Sequence, residues 1–144
     1  MSTSLEEFVV KFRRDELTVA ATEHWTWSVR PGPATLGAGV ISLNRFETQF
    51  GRITPDEAKD LQGVVAIAET RTREVFQPEK FNYLMLMMVD VLVHFHVVPR
   101  YAGTRAFASL EWDDPAWPKP PAHDAHADRA TDGVLFAVRD ALRR

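Results

Sequence analysis

Between Val91 and Val98 the chain runs Val-Leu-Val-His-Phe-His-Val-Val. In an extended backbone successive side chains point to opposite faces. Val91, Val93, Phe95 and Val97 then make one wholly apolar face, and Leu92, His94, His96 and Val98 make the other. An unbroken apolar face has to be covered by a core, so the segment reads as a strand of a sheet with one side packed. The other side carries two imidazoles on neighbouring positions, about 6–7 Å apart at a rise of roughly 3.3 Å per residue. Two histidines mounted side by side on a strand, with Pro99 and Arg100 just beyond, mark a functional surface.

The rest of the chain must supply the cover. With 144 residues it is long enough to bury a real core as one domain spanning 1–144. The clearest helix start is Thr54-Pro-Asp-Glu57: a threonine cap, proline at the first helical position, acids in the first turn and a capping-box glutamate. Ala58, Leu61, Val65, Ala68 and Val75 follow on one face, which predicts a long helix to about Phe76 that packs on the sheet. A second capping box, Ser4-Leu-Glu-Glu7, predicts a first helix from Ser4 to about Arg14, with Leu5, Phe8, Val9 and Phe12 at helical spacing. Thr22–Arg30 is aromatic and β-prone and reads as a strand. Arg30-Pro-Gly-Pro turns the chain, and Leu36–Leu43 forms a hairpin with that strand. Lys80–Val89, apolar on both faces, is expected to be a central, buried strand beside the histidine segment. Residues 101–130, with prolines at 115, 118, 120 and 121, are expected to be an irregular loop pinned by Trp112 and Trp117. Thr131 caps a short final helix. The fold class is therefore α+β: an antiparallel sheet packed against one long helix and shorter terminal helices.

Composition narrows the function classes. A formal net charge of −3 gives no basic field for nucleic acid. The absence of cysteine excludes disulfide and thiolate chemistry. The first residues lack the apolar core of a signal peptide, and the longest apolar run, Tyr83–Val89, is far too short to span a bilayer. A cytoplasmic protein with no membrane partner is the expectation.

Leu92-Val-His94-Phe-His96-Val-Val98, followed by Pro99-Arg100-Tyr101, resembles the signature strand of the histidine triad proteins, in which three histidines alternate with apolar residues. The second and third histidines are present, and Leu92 stands in place of the first. The preceding Phe81-Asn-Tyr-Leu-Met-Leu-Met-Met-Val-Asp90 resembles a bacterial branch of that family. The likeness extends from about Trp25 to Arg100.

The resemblance implies a histidine triad fold, a homodimer and a small-molecule nucleotide partner, with no cofactor. It implies a nucleotide phosphohydrolase or nucleotidyl transferase acting at the α-phosphate of a purine nucleotide derivative. His94 would be the nucleophile and His96 would bind phosphate oxygens, helped by Asn82 and Arg100. Ser28 stands where many relatives have an acid that binds ribose hydroxyls, and Trp25 and Trp27 offer rings to stack on a base. Three departures bear on turnover. Leucine at 92 has no donor or acceptor with which to orient the nucleophile. Met88 and Val89 replace a glutamine and a serine or threonine that serve the phosphates, and Val91-Leu92 replaces a Pro-His pair. A nucleotide-binding or regulatory protein without catalysis is the alternative. A second is a metal-binding interaction domain, since His-x-His chelates zinc, although no third ligand of suitable spacing lies nearby. His123 and His126, in an alanine-rich polar stretch, read as part of a mobile connector.

Overall fold

In the computed structural model, which describes residues 1–144, the histidine strand sits inside a five-stranded antiparallel sheet. Its strands are β1 (Thr18–Ala21), β2 (Trp25–Val29), β3 (Gly39–Leu43), β4 (Lys80–Leu84) and β5 (His94–Arg100), in the order β1-β2-β3-β5-β4. The predicted hairpin is β2–β3, with Trp25 opposite Leu43 and Val29 opposite Gly39. Gly39 is required by close approach: a Cβ there would lie 2.9 Å from both the Ser28 carbonyl oxygen and Trp27 Nε1.

Side-chain alternation divides the sheet as the sequence pattern demands. Trp25, Trp27, Val29, Ile41, Leu43, Val93 and Val97 join one large core with Val64, Ala68 and Phe76 of the long helix α3 (Pro55–Phe76) and with Leu135, Val138 and Leu142 of the terminal helix α4 (Asp132–Leu142). The predicted caps form at both. Thr54 and Glu57 make the reciprocal capping box of α3, and the Thr131 hydroxyl accepts from the amide of Val134. No helix is long and apolar enough to cross a membrane.

The other face of the sheet has a smaller cover of its own. Helix α1 (Leu5–Lys11) lies over it and buries Phe8 and Phe12 against Val40 and Leu92. It is shorter than the spacing predicts because Arg13 turns left-handed (φ 51°), after which a single-turn helix, α2 (Arg14–Leu17), leads into β1. The Ser4 hydroxyl accepts from the amide of Glu7 as expected. The Glu7 carboxylate takes the Ser4 and Thr3 hydroxyls rather than the backbone.

Three expectations are corrected. Lys80–Val89 is not a central strand: β4 ends at Leu84, pairs only with β5 and forms the sheet edge. Residues 85–89 peel away, leaving Leu86 and Met88 exposed, because Asp90 is drawn to the N-terminal segment by a bridge to Ser2. β1 went unseen because Thr-Val-Ala-Ala is short and alanine-rich, and pairing with β2 makes it a strand. Within residues 101–130 a small hairpin forms, β6 (Arg105–Phe107) with β7 (Leu110–Trp112), and Trp112 is buried at its end.

Candidate active site

Pairing across β5 determines what shares the histidine face. His94 is opposite Ser42 of β3, which is opposite Thr26 of β2. His96 is opposite Val40, which is opposite Ser28, and on its other side His96 is opposite Leu84 of β4. Directly paired residues point to the same side of an antiparallel sheet. The two histidines therefore stand together as the alternation implies, with ring centroids 5.0 Å apart and planes nearly perpendicular.

The His94 ring is held in one tautomer. Its Nδ1 lies 2.6 Å from the carbonyl oxygen of Leu92. A carbonyl only accepts, so Nδ1 carries the proton and, in the neutral ring, Nε2 carries the lone pair. Burial pushes the His94 pKa below its ordinary value, against the raising effect of the Leu92 carbonyl, so the ring is neutral at pH 7. Leu92 was expected to deprive the nucleophile of orientation. Its side chain does contribute nothing polar, but its backbone fixes the tautomer and ring plane. The leucine side chain is fully buried in the cluster with Phe8, Phe12 and Val40, a place where an imidazole would lack a partner.

His96 is 7% exposed and its Nδ1 is buried without a hydrogen-bond partner. Burial, with His94, Arg30 and His123 nearby, lowers its pKa to about 3. The aromatic lid explains the burial. Phe8 and Phe12 stack at 4.5 Å, and their centroids lie 5.0 and 5.9 Å from His94, with Phe12 also 6.2 Å from His96. The hollows along α3, between α1 and α2, and between β4 and the C-terminal loop include neither His94 nor His96 in their linings.

Two arginines flank the pair. Arg14 of α2 reaches over the sheet to Ser42 Oγ at 3.3 Å, is half-buried and has no carboxylate in ion-pair range; burial lowers its pKa. Arg30 follows Ser28 with the same parity. It donates through Nη1 to Asp124 at 2.9 Å and to the His123 carbonyl at 3.2 Å, and through Nη2 to His123 Nε2 at 2.8 Å. This brings the His123 ring to 4.9 Å from His96. His123 is thus ordered at the site, and His126 is buried against Trp112, its Nε2 donating to the Asp113 carbonyl at 2.7 Å. Contacts to Arg30 and to Trp112 hold the two histidines of the stretch that the sequence reads as a connector. No alternation reaches His123 from the sequence; loop closure brings it there. Arg30 was legible, being two residues beyond Ser28.

The remaining expected residues divide. Ser28 is on the histidine face but 1% exposed beneath its neighbours. Trp25 and Trp27 are on the opposite face, inside the main core, and Trp25 Nε1 donates to the Glu57 carbonyl at 2.9 Å. Neither offers a ring to a base beside the histidines, because strand parity sends residues 25 and 27 away from 28. Asn82 and Arg100 share the histidine side but lie beyond His96. The Arg100 guanidinium is buried rather than on a rim, bound to Asp114 at 2.6 and 3.2 Å, to Asn82 Oδ1 at 2.6 Å and to the Lys119 carbonyl at 2.7 Å. That network ties β4 and β5 to the C-terminal loop and leaves little for a phosphate. No group of three or more His, Cys, Asp or Glu side chains is placed to hold a metal ion.

No family model and no curated protein matches this sequence. Solved structures do. A Hit-like protein from Bartonella henselae, described as involved in cell-cycle regulation, aligns with TM-score 0.69 at 10% identity over 98% of this chain and 95% of its own. A histidine triad protein from Marinobacter aquaeolei aligns with TM-score 0.65 at 15% identity over 93% and 90%. A hypothetical histidine triad nucleotide-binding protein from Sulfolobus tokodaii aligns with TM-score 0.63 at 13% identity over 93% and 88%. At these identities the likeness is one of fold: the chain has the histidine triad fold.

Proposed function

We propose that this protein is a nucleotide hydrolase or nucleotidyl transferase of the histidine triad kind, acting at the α-phosphate of a purine nucleotide derivative. One observation carries the reading: His94 is neutral, its Nδ1–H is donated to the Leu92 carbonyl, and its Nε2 lone pair has no hydrogen-bond partner. That is the state a nucleophilic imidazole requires. In the first step Nε2 forms a bond to phosphorus as the bond to the leaving oxygen breaks. The ring acquires positive charge, which the Leu92 carbonyl stabilises through Nδ1–H. Water then attacks phosphorus, the P–N bond breaks, and the water's proton leaves to solvent. Arg14 and Arg30 supply the positive field for a phosphate, and a strand mount keeps the nitrogen in line.

The reading is tested by incubating the protein with a dinucleoside polyphosphate and following release of AMP. Turnover lost in His94→Ala supports it, and turnover untouched by that substitution overturns it. A specific observation favours a second reading, a nucleotide-binding or regulatory protein without turnover: α1 lies on the histidines and Leu92 forms part of its seat. AMP raising the melting temperature with no AMP release from any substrate would select it. A homodimer fits either reading, because β4 presents an unpaired edge beside a hollow of about 160 Å3 lined by Leu61, Val65, Tyr83 and Phe95. Sedimentation at micromolar concentration would detect it.

A further inference from the structure

The histidine face is closed from above by one short element. Helix α1 rests there on a cluster of its own, Phe8, Phe12, Val40 and Leu92, separate from the main core on the far side of the sheet. Lifting α1 would uncover His94 and His96, now 2% and 7% exposed, and would leave that main core whole. A polar clasp holds its two ends. The Asp90 carboxylate accepts from the Ser2 amide and hydroxyl and from Lys11 Nζ, and the Val91 amide donates to the Ser2 carbonyl at 3.3 Å. A pivot stands between α1 and α2, where Arg13 is left-handed (φ 51°). Beyond the pivot the chain is fixed: Arg13 pairs with Glu16 and Asp132, and Leu17 lies in the main core. Movement of α1 is therefore absorbed by the backbone at Phe12 and Arg13, as in hinges built from a few residues at the end of an element.

What α1 covers argues against packing as its whole purpose. His96 Nδ1 is buried with no partner, no hydrogen bond engages His94 Nε2, and the half-buried Arg14 has no carboxylate in ion-pair range. An apolar cover over unsatisfied polar groups closes at a cost, because water or a polar ligand would pair them. Burial of Phe8 and Phe12 offsets that cost, so the closed form dominates and the open form is the minor state. Rings this buried admit no nucleotide while α1 is down.

Taking from the His94 reading only that the ligand is a nucleotide, we propose that α1 is a hinged lid on the histidine face, clasped by Asp90, whose undocking sets the fraction of molecules able to bind. Apparent affinity is then the intrinsic affinity multiplied by the open fraction. Asp90 and Lys11, which touch no ligand, control binding through that fraction. By linkage, bound nucleotide holds α1 open.

The full-length protein is compared with Asp90→Asn, Lys11→Glu and Lys11→Arg by two readouts. One is the rate of His94 acylation by diethyl pyrocarbonate, mapped by mass spectrometry. The other is calorimetric titration with AMP. His24, on the β1–β2 turn with its side chain 28% exposed, is the internal standard, and an unchanged rate there shows that the fold is intact. Asp90→Asn and Lys11→Glu are expected to label His94 about 5- to 30-fold faster and to bind AMP more tightly by a similar factor, the size of one charge-assisted hydrogen bond lost from the clasp. Lys11→Arg keeps the clasp and stays within about twofold of the parent. Lys11 is 42% exposed along its side chain, so its variants remain informative if Asp90→Asn does not fold. Unchanged labelling of His94, equal acceleration at His24, or AMP bound with the same affinity by all four proteins overturns the lid and leaves the His94 reading standing. Faster labelling of His94 with AMP bound by none of them supports the lid and overturns the nucleotide reading.

Discussion

Replacing Asp90 by Asn is expected to loosen α1 on the histidine face, raising the population in which it is undocked. One carboxylate holds both ends of the segment. Its Oδ1 accepts from the Ser2 amide at 3.0 Å and the Ser2 hydroxyl at 2.6 Å, and Lys11 Nζ lies 2.8 Å from each oxygen. A hydrogen bond to a charged group contributes about 1.5–3 kcal/mol. Lys11 is 42% exposed along its side chain, which reduces its ion pair to about 0.5–1 kcal/mol. Asparagine keeps one acceptor, so the net loss is about 1–2 kcal/mol, or roughly a 5- to 30-fold rise in the undocked population. Buried Phe8 and Phe12, each contributing about 1.5–3 kcal/mol, keep the helix mostly in place. Native-state hydrogen exchange reads this directly. The Phe8 and Phe12 amides, bonded to the Ser4 and Phe8 carbonyls, should exchange about 5- to 30-fold faster while the amides of β5 change little. Unchanged exchange in α1, or equal acceleration throughout the chain, would refute the argument. Acid should act as the substitution does. Burial opposes ionisation of Asp90, but Lys11 and Ser2 outweigh it and depress the carboxyl's pKa. Its contribution is complete above the unfolded value near 3.9 and is lost as pH falls through the lower folded value.

His94 and His96 are buried neutral, with lowered pKa values, so the unfolded chain takes up protons near pH 6.5 that the native one refuses. Stability should fall below about pH 6.5 at up to about 1.4 kcal/mol per pH unit for each ring, levelling near pH 3 for His96, and denaturant melts of His96→Gln should show a shallower slope. Leu92→His, which would restore a third histidine to the strand, is expected to destabilise rather than simply activate: an imidazole would enter a fully buried apolar cluster at a cost of about 2–4 kcal/mol. An unchanged melting midpoint would show that α1 does not rest on residue 92.

What the sequence determined is local or periodic. Alternation from Val91 to Val98 placed His94 and His96 together on one face, because a strand's period of two leaves no choice once the other face is apolar. Thr54-Pro-Asp-Glu57 set the start of α3, since a cap satisfies the first amides within one turn. The same parity would have excluded Trp25 and Trp27 from the side of Ser28. Tertiary structure decided what no period encodes. Lys80–Leu84 became an edge strand because sheet order depends on which backbones remain to be paired, and both-faced apolarity does not distinguish an edge exposed to another surface from a centre. The Leu92 carbonyl orients His94 through a backbone contact that a side-chain motif cannot display. The cover of Phe8 and Phe12 and the approach of His123 to His96 join residues more than 80 and 25 positions apart along the chain. Such contacts follow from how the whole chain closes, and only the assembled fold specifies them.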